Sequence, residues 1–178
     1  MAFKEIPIHE LEFNPMKMIG SDWWLITAGT EERGYNTMTG AWGNLGALWN
    51  DPDSTHHHCM PTATMFIRPS RYTKEFADRE PYFSLCVFDE SYRKALSILG
   101  TLSGRDCDKV AKAGLTPAFT EKTTYFNEAK YVFICRKLYQ APIVEEGFVS
   151  GKMMDYNYPL KDFHTMYIGE ITKVLVRE

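Results

Sequence analysis

The segment "FIRPSRYTKEF", Phe66 to Phe76, marks the point where a predicted strand gives way to a predicted helix. The apolar run that leads into it stops at Pro69, and a short amphipathic pattern follows with Ser70 as the expected N-cap. The turn contains two arginines and three hydroxyl side chains: Arg68, Arg71, Ser70, Tyr72 and Thr73. Because arginine forms forked, charge-assisted hydrogen bonds with phosphate oxygens, the turn is a candidate phosphate site. The alternative is a surface turn whose arginines pair with the carboxylates that follow.

A second basic turn follows in "SGRDCDK", Ser103 to Lys109. Its candidate ligand contacts are Ser103, Gly104, Arg105 and Lys109, since glycine lets the backbone approach a ligand closely. The alternative is a plain turn between two helices, with Asp106 and Asp108 capping the second helix.

The segment "NTMTGAWGNLG", from Asn36 to Gly46, is strand-like and rich in glycine. Glycine in a strand marks a bulge or a close approach of backbone to a ligand, and both interpretations stay open here. The chain has no G-x-G-x-x-G, no P-loop, no G-x-S-x-G and no H-E-x-x-H, so a dinucleotide-binding fold is not indicated.

Strand patterns dominate the chain, and the helical patterns cluster in its middle. The predicted strands are 23–29, 36–48, 62–69, 81–88, 129–143 and 164–177, and the predicted helices are 70–79 and one or two within 90–114. Because few strands alternate with helices, this order favours a mostly antiparallel barrel with a few outer helices over a parallel sheet. A length of 178 residues is typical of one domain, residues 1–178.

Composition limits the partners that the protein is expected to bind. The net charge is −3, so no global basic field favours nucleic acid or an anionic membrane surface. No signal-peptide pattern and no apolar run of membrane-spanning length occur. The four cysteines, Cys59, Cys86, Cys107 and Cys135, include no C-x-x-C pair, so we expect free thiols and a cytoplasmic protein.

Two parts of the chain contain histidines that could carry chemistry: a run of three and a single residue. Adjacent side chains in "HHHC", His56 to Cys59, point in alternate directions and converge poorly on a metal ion, so we expect no metal there. His164 opens the last predicted strand, and an imidazole that titrates near neutral pH would suit proton transfer or contact with a nucleotide. The alternative for His164 is a half-buried strand residue with a structural role.

Taken in order, "NTMTGAWGNLG", "FIRPSRYT", "SGRDCDK" and "HTMYIGEI" resemble the flavin reductase-like family, which includes the flavoredoxins. The resemblance spans Asn36 to Ile171. It implies an FMN-binding split barrel, a six-stranded antiparallel Greek-key barrel with accessory helices, found as a homodimer. By this resemblance the flavin ring lies against the glycine-rich strand, the two basic turns bind the phosphate, and His164 lies near the reactive side of the flavin as the catalytic candidate. The residues implied to bind FMN are Asn36, Thr37, Met38, Thr39, Gly40, Trp42, Arg68, Ser70, Arg71, Tyr72, Thr73, Ser103, Gly104, Arg105 and Lys109.

The expected function is an oxidoreductase that transfers a hydride from NADH or NADPH to flavin N5. The alternative is a flavoredoxin-like carrier that holds FMN tightly and exchanges electrons with a redox protein partner. The residues expected to cover a homodimer surface are Trp42, Trp49, Tyr156 and Tyr158. The loop "NDPDSTHHHCMP" departs from the family pattern. This departure bears on how a substrate reaches the flavin more than on how the flavin binds.

Overall fold

The structure, a computed structural model, describes residues 2–52 and 59–178. Within these residues the strands are β1 Phe3–Ile6, β2 Trp24–Thr30, β3 Gly34–Gly40, β4 Gly43–Asn50, β5 Cys59–Ile67, β6 Tyr82–Val87, β7 Pro117–Phe119, β8 Thr124–Phe126, β9 Tyr131–Pro142 and β10 Thr165–Arg177. The α-helices are α1 Thr73–Arg79, α2 Arg93–Thr101, α3 Lys109–Ala113 and α4 Gly151–Asn157. A π-helix covers Lys17–Ser21, and short 3-10 helices cover Ile8–Glu10, Glu90–Tyr92 and Glu145–Gly147.

The large sheet has the strand order β3-β2-β6-β9-β10-β5-β4, with β1 added along β10. Every strand pair among the described residues is antiparallel. The strands at the two ends of this order, β3 and β4, follow each other in the chain and are joined only by Ala41 and Trp42. The sheet therefore curls back on itself, which confirms the predicted antiparallel barrel with outer helices.

The strand count differs from the expected six, because the described part of the sheet has eight strands. The prediction of one strand over 36–48 is wrong: the chain leaves β3 at Gly40 and enters β4 at Gly43, on the opposite edge of the sheet. The connection is only two residues long, so the sequence pattern does not reveal the break. The other added strand, β1, has four residues and pairs with the distal half of β10.

Trp24 fills the space between the two sheet edges. Its side chain is fully buried, and it lies against the backbone of Gly40 at the end of β3 and of Gly43 at the start of β4. A Cβ at Gly43 would lie 2.2 Å from Trp24 Cζ2 and 2.6 Å from the Thr64 carbonyl oxygen, and a Cβ at Gly40 would lie 2.8 Å from Ile26 Cδ1. Both edges can approach Trp24 because these two positions have no side chain.

All seven residues of β2 are buried because both faces of the strand are covered. One face contributes Trp24 and Ile26 to the barrel interior. The other face places Leu25 against Leu96 and Leu99 of α2. Helix α2 thus lies outside the barrel next to β3, whereas α1 adds Phe76 and Ala77 to the interior cluster.

The helix boundaries correct one expectation and confirm another. Helix α1 begins at Thr73, and its N-cap is Tyr72 with no side-chain cap bond, so the prediction of Ser70 as N-cap is wrong. The 90–114 pattern resolves into α2 and α3. Asp108 caps α3 by accepting a 3.0 Å hydrogen bond from the Ala111 N–H, and Gly114 ends it with a left-handed φ of 69°.

The cysteines are free thiols, as expected, with Cys86 and Cys135 buried in the sheet. Burial raises the pKa of the Cys86 thiol to about 12. The histidines of the "HHHC" segment lie outside the described residues, and within the described ranges no group of three or more His, Cys, Asp or Glu side chains is placed to hold a metal ion. No helix in the described part of the chain has the length and apolar character needed to cross a membrane.

Gly43→Ala should destabilise the fold. The new methyl group would collide with Trp24 and with the Thr64 carbonyl, and overpacking of this kind costs about 1–3 kcal/mol. Gly46→Ala is the matched control on the same strand, since nothing lies within 4 Å of its Cβ position. Urea unfolding of the three proteins measures the difference. Equal stabilities for the two variants would contradict the role assigned to Trp24.

Candidate functional site

The two basic turns meet β3 at one place. Asn36 of β3 donates a 2.8 Å hydrogen bond from Nδ2 to Thr73 Oγ1 at the start of α1, and both residues are buried. On the other side, a Cβ at Gly104 would lie 2.3 Å from Asn36 Oδ1, so the turn between α2 and α3 approaches β3 closely. We call the cluster of Asn36, Arg71, Thr73, Gly104 and Lys109 the polar corner.

Two cations converge on the carboxyl end of α2 in the polar corner. Arg71 donates a 2.9 Å hydrogen bond to the Gly100 carbonyl. Lys109 Nζ donates to the Leu99 and Leu102 carbonyls, each at 3.2 Å. An ammonium group has three N–H donors, so these two carbonyls leave one for another acceptor.

Keeping the Lys109 ammonium group protonated costs free energy, because the group is buried. Burial lowers the pKa of Lys109 to about 8, and the nearby Arg71 guanidinium acts in the same direction. A negative charge placed between the two cations would oppose both effects. The polar corner therefore favours an anion.

The other two arginines of the predicted phosphate site are paired with carboxylates. Arg68 forms a 2.6 Å ion pair with Asp162 and donates a 2.8 Å hydrogen bond to the Asn157 carbonyl. Arg105 pairs with Glu75 and stacks over the Tyr72 ring. Of the four basic residues in the two turns, Arg71 and Lys109 are the ones whose charge is directed at the polar corner.

A cavity of about 170 Å³ lies beside the polar corner, at the carboxyl end of β3. It is lined by Met38, Thr39, Gly40, Ala41, Trp42, Phe66, Arg68, Arg71 and His164. Most of these residues were candidates from the sequence, whereas Ala41 and Phe66 were not. Thr39 donates a 2.5 Å hydrogen bond to the Leu96 carbonyl, which fixes β3 to α2 at the cavity wall.

His164 lies in an aromatic setting and is buried. Its ring centroid is 4.7 Å from that of Trp42, and its Nδ1 is 2.8 Å from the Tyr158 hydroxyl. Burial lowers the pKa of His164 to about 4, and the nearby Arg68 cation lowers it as well. The expectation of an imidazole that titrates near neutral pH is therefore wrong, because the buried ring is neutral at pH 7.

The remaining predicted residues lie around the site without lining the cavity. The Thr37 side chain is buried, and its Oγ1 lies 2.8 Å from Thr27 Oγ1. Ser70 is exposed in the turn before α1, and Tyr72 packs edge-to-face on Phe76. Ser103 accepts a 3.2 Å hydrogen bond from the Arg105 N–H, which shapes the second turn.

Sequence reasoning missed the segment between β9 and β10 that supports His164. Tyr158, expected on the surface, is buried against Phe163 and His164. The Arg68–Asp162 ion pair fixes this segment to the end of β5. The pairing joins residues 94 positions apart, and only the sequence "YNYP" with its two aromatic rings hinted at an ordered segment.

Comparison of folds places the chain among the split barrels. No protein-family model matches the chain, and no curated protein matches it in sequence. Solved structures do match. One is an FMN-binding domain of a flavin reductases-like enzyme from Shewanella baltica, with a TM-score of 0.65, 13% identity and coverage of 98% of this chain and 77% of that one.

Two further matches have different described activities. Flavoredoxin of Desulfovibrio vulgaris aligns with a TM-score of 0.63 and 23% identity, over 88% of this chain and 69% of that one. An NADH:FAD oxidoreductase of Streptomyces globisporus aligns with a TM-score of 0.60 and 14% identity, over 88% and 75%. At these identities the matches establish the fold, which is the split barrel of flavin reductase-like proteins, as the sequence resemblance implied.

His164 should make stability depend on pH in acid. Its pKa is about 4 in the folded chain against 6.5 unfolded, so the unfolded chain binds more protons between these values. The free energy of unfolding should fall as pH drops from about 6.5 to 4, by an amount on the order of 3 kcal/mol from this group. Urea unfolding at several pH values measures it. His164→Gln should flatten the slope, and His9→Gln is the control; an unchanged slope in His164→Gln would contradict the assignment.

Proposed function

We propose that this chain is an FMN-binding oxidoreductase. The observation that carries the proposal is that the polar corner, with its two cations, and a cavity lined by aromatic side chains lie side by side along β3. FMN combines a phosphate with a flat aromatic ring, so it needs both environments within one molecule's length. FMN binding by the Shewanella protein, which has the same fold, supports the proposal.

The polar corner would hold the phosphate and the cavity would hold part of the ring. Arg71 and Lys109 supply positive charge, and Asn36 and Thr73 supply polar groups beside them. Gly104 fits this role because it has no side chain, so its backbone can lie close to Asn36 in the polar corner. Met38 and Trp42 would contact the ring.

FMN held by these residues would supply the redox chemistry, with NADH or NADPH as the proposed donor. The role of the chain is to bind, orient and exclude water. His164 is neutral at pH 7, so it offers a hydrogen bond and a ring face and no cationic charge. The Tyr158 hydroxyl fixes the orientation of that ring through Nδ1.

A flavoredoxin-like electron carrier is the second candidate function, favoured by the fold match to a flavoredoxin. The two candidates differ in the donor. Stopped-flow mixing of the FMN-loaded chain with NADH or NADPH should bleach the flavin within seconds if the chain is an enzyme. Reduction slower than free FMN under the same conditions would contradict the enzyme and favour a carrier that receives electrons from a redox protein.

A homodimer is part of the proposal. Leu48, Trp49, Leu138 and Tyr139 are exposed on β4 and β9, and the Trp49 and Tyr139 rings lie 6.3 Å apart. Exposed apolar patches of this kind are commonly covered by a second chain. Light scattering should report about twice 20.5 kDa at micromolar concentration, and a 20.5 kDa particle would contradict the dimer.

The four free thiols support a reducing, cytoplasmic setting.

Arg71→Ala should weaken FMN binding and leave riboflavin binding unchanged. The guanidinium can form a charged hydrogen bond to the phosphate alone, worth about 1.5–3 kcal/mol, which corresponds to roughly tenfold to hundredfold in Kd. Calorimetric titration with both flavins measures the two constants. Arg136→Ala is the control, since it removes an arginine of β9 that is paired with Glu170 of β10. Equal weakening of both flavins would show that Arg71 supports the fold instead of contacting phosphate.

A further inference from the structure

A second and larger space also borders the β3–β4 connection. This cleft, of about 570 Å³, is formed between the N-terminal segment 15–20 and the first residues of β4. Its apolar surface comes from Met16, Ile19, Trp42, Leu45 and Phe66. A volume in the range of about 300–1,000 Å³ is typical of small-molecule sites.

The cleft adjoins the cavity beside the polar corner. Ala41, Trp42 and Phe66 line both spaces. A molecule in the cleft would therefore share the Trp42 and Phe66 side chains with a ring bound in the cavity. The site that the proposed function assigns to FMN thus has an adjoining space for another ligand.

The two spaces differ in charge. The cavity is lined by Arg68, Arg71 and His164, whereas none of the described residues that line the cleft carries a charge, and Asn44 contributes its only polar side chain. Moving a charged group from water to an apolar surface without a partner is unfavourable. The cleft therefore favours an uncharged ligand.

The N-terminal wall of the cleft is fixed in place. Ile19 is buried in the barrel core. Arg93 of α2 donates hydrogen bonds to the Ser21 and Asp22 carbonyls, at 2.6 Å and 3.2 Å. The same guanidinium lies 3.2 Å from the Trp23 ring centroid, and Trp23 has a left-handed φ of 69°. A backbone held in this conformation by its surroundings is a preorganised feature.

We propose that the cleft binds a planar, uncharged aromatic molecule as the second substrate of the flavin site. The inference builds on the proposed function, since FMN in the cavity gives the adjoining cleft its purpose. Trp42 and Phe66 offer ring faces and edges for stacking. The lack of charged lining residues selects against anionic aromatics of the same shape.

The test uses 2-naphthol as the neutral probe and 2-naphthalenesulfonate as its anionic counterpart. Isothermal titration of the FMN-loaded chain should show binding of 2-naphthol, with the sulfonate at least about tenfold weaker. Flavin fluorescence, recorded in the same samples, should show that the probe does not displace FMN.

Met16→Lys and Asn44→Lys would bring a positive charge to the cleft at two exposed positions on opposite walls. Both variants should weaken 2-naphthol binding about fivefold or more and strengthen sulfonate binding, which reverses the preference. Met16→Leu and Asn44→Gln are the matched controls and should keep the wild-type preference. Two independent sites protect the test against a single variant that fails to fold.

Three outcomes would overturn the inference. Displacement of FMN by 2-naphthol would assign the cleft to the flavin ring itself. Failure of 2-naphthol to bind while FMN binds would show that the cleft is not a ligand site, whether or not a second copy covers it. Binding of 2-naphthol to a chain that does not bind FMN would overturn both the proposed function and the role as a second-substrate site.

Discussion

The packing of Trp24 against Gly40 and Gly43 brings the two ends of the sheet together. The indole is fully buried between two edges of one sheet, and its Nε1 has no hydrogen-bond partner among the described residues. An unpartnered buried donor costs about 1–3 kcal/mol, which the burial of a large aromatic side chain offsets. With side chains at the glycines the edges could not approach, and the strands β3 and β4 could not lie on opposite sides of the same indole.

This closure also positions the site. Because β3 must end at Gly40 and β4 must begin at Gly43, the chain turns at Ala41 and Trp42, which line both the cavity and the cleft. The same strand carries Asn36 to the polar corner, where α1 and the α2–α3 turn meet it. A single strand thus joins a place for negative charge to a place for a flat ring. That combination is the physical basis for the proposal of FMN.

Sequence reasoning predicted those parts of the fold and site that depend on local chemistry. Pro69 ends a strand and Asp108 caps a helix, and the resemblance to a known family brought the two basic turns to one corner. It could not tell which basic residues of the two turns face the polar corner and which are paired with carboxylates. Arg68, for example, pairs with Asp162, which lies 94 positions away in the sequence. The state of His164 was also beyond its reach: a histidine before a strand carries no local sign that Tyr158 and Trp42 will bury it.

Phosphorus NMR of the FMN-loaded chain can show whether Arg71 and Lys109 hold the phosphate of FMN, as proposed. A phosphomonoester in water takes up its second proton near pH 6. Two cations beside the phosphate favour the dianion and lower that pKa. We predict that the phosphorus resonance of bound FMN is shifted from that of free FMN and does not titrate between about pH 5.5 and 8. A resonance that titrates near pH 6, as in free FMN, would contradict the claim that this corner binds the phosphate.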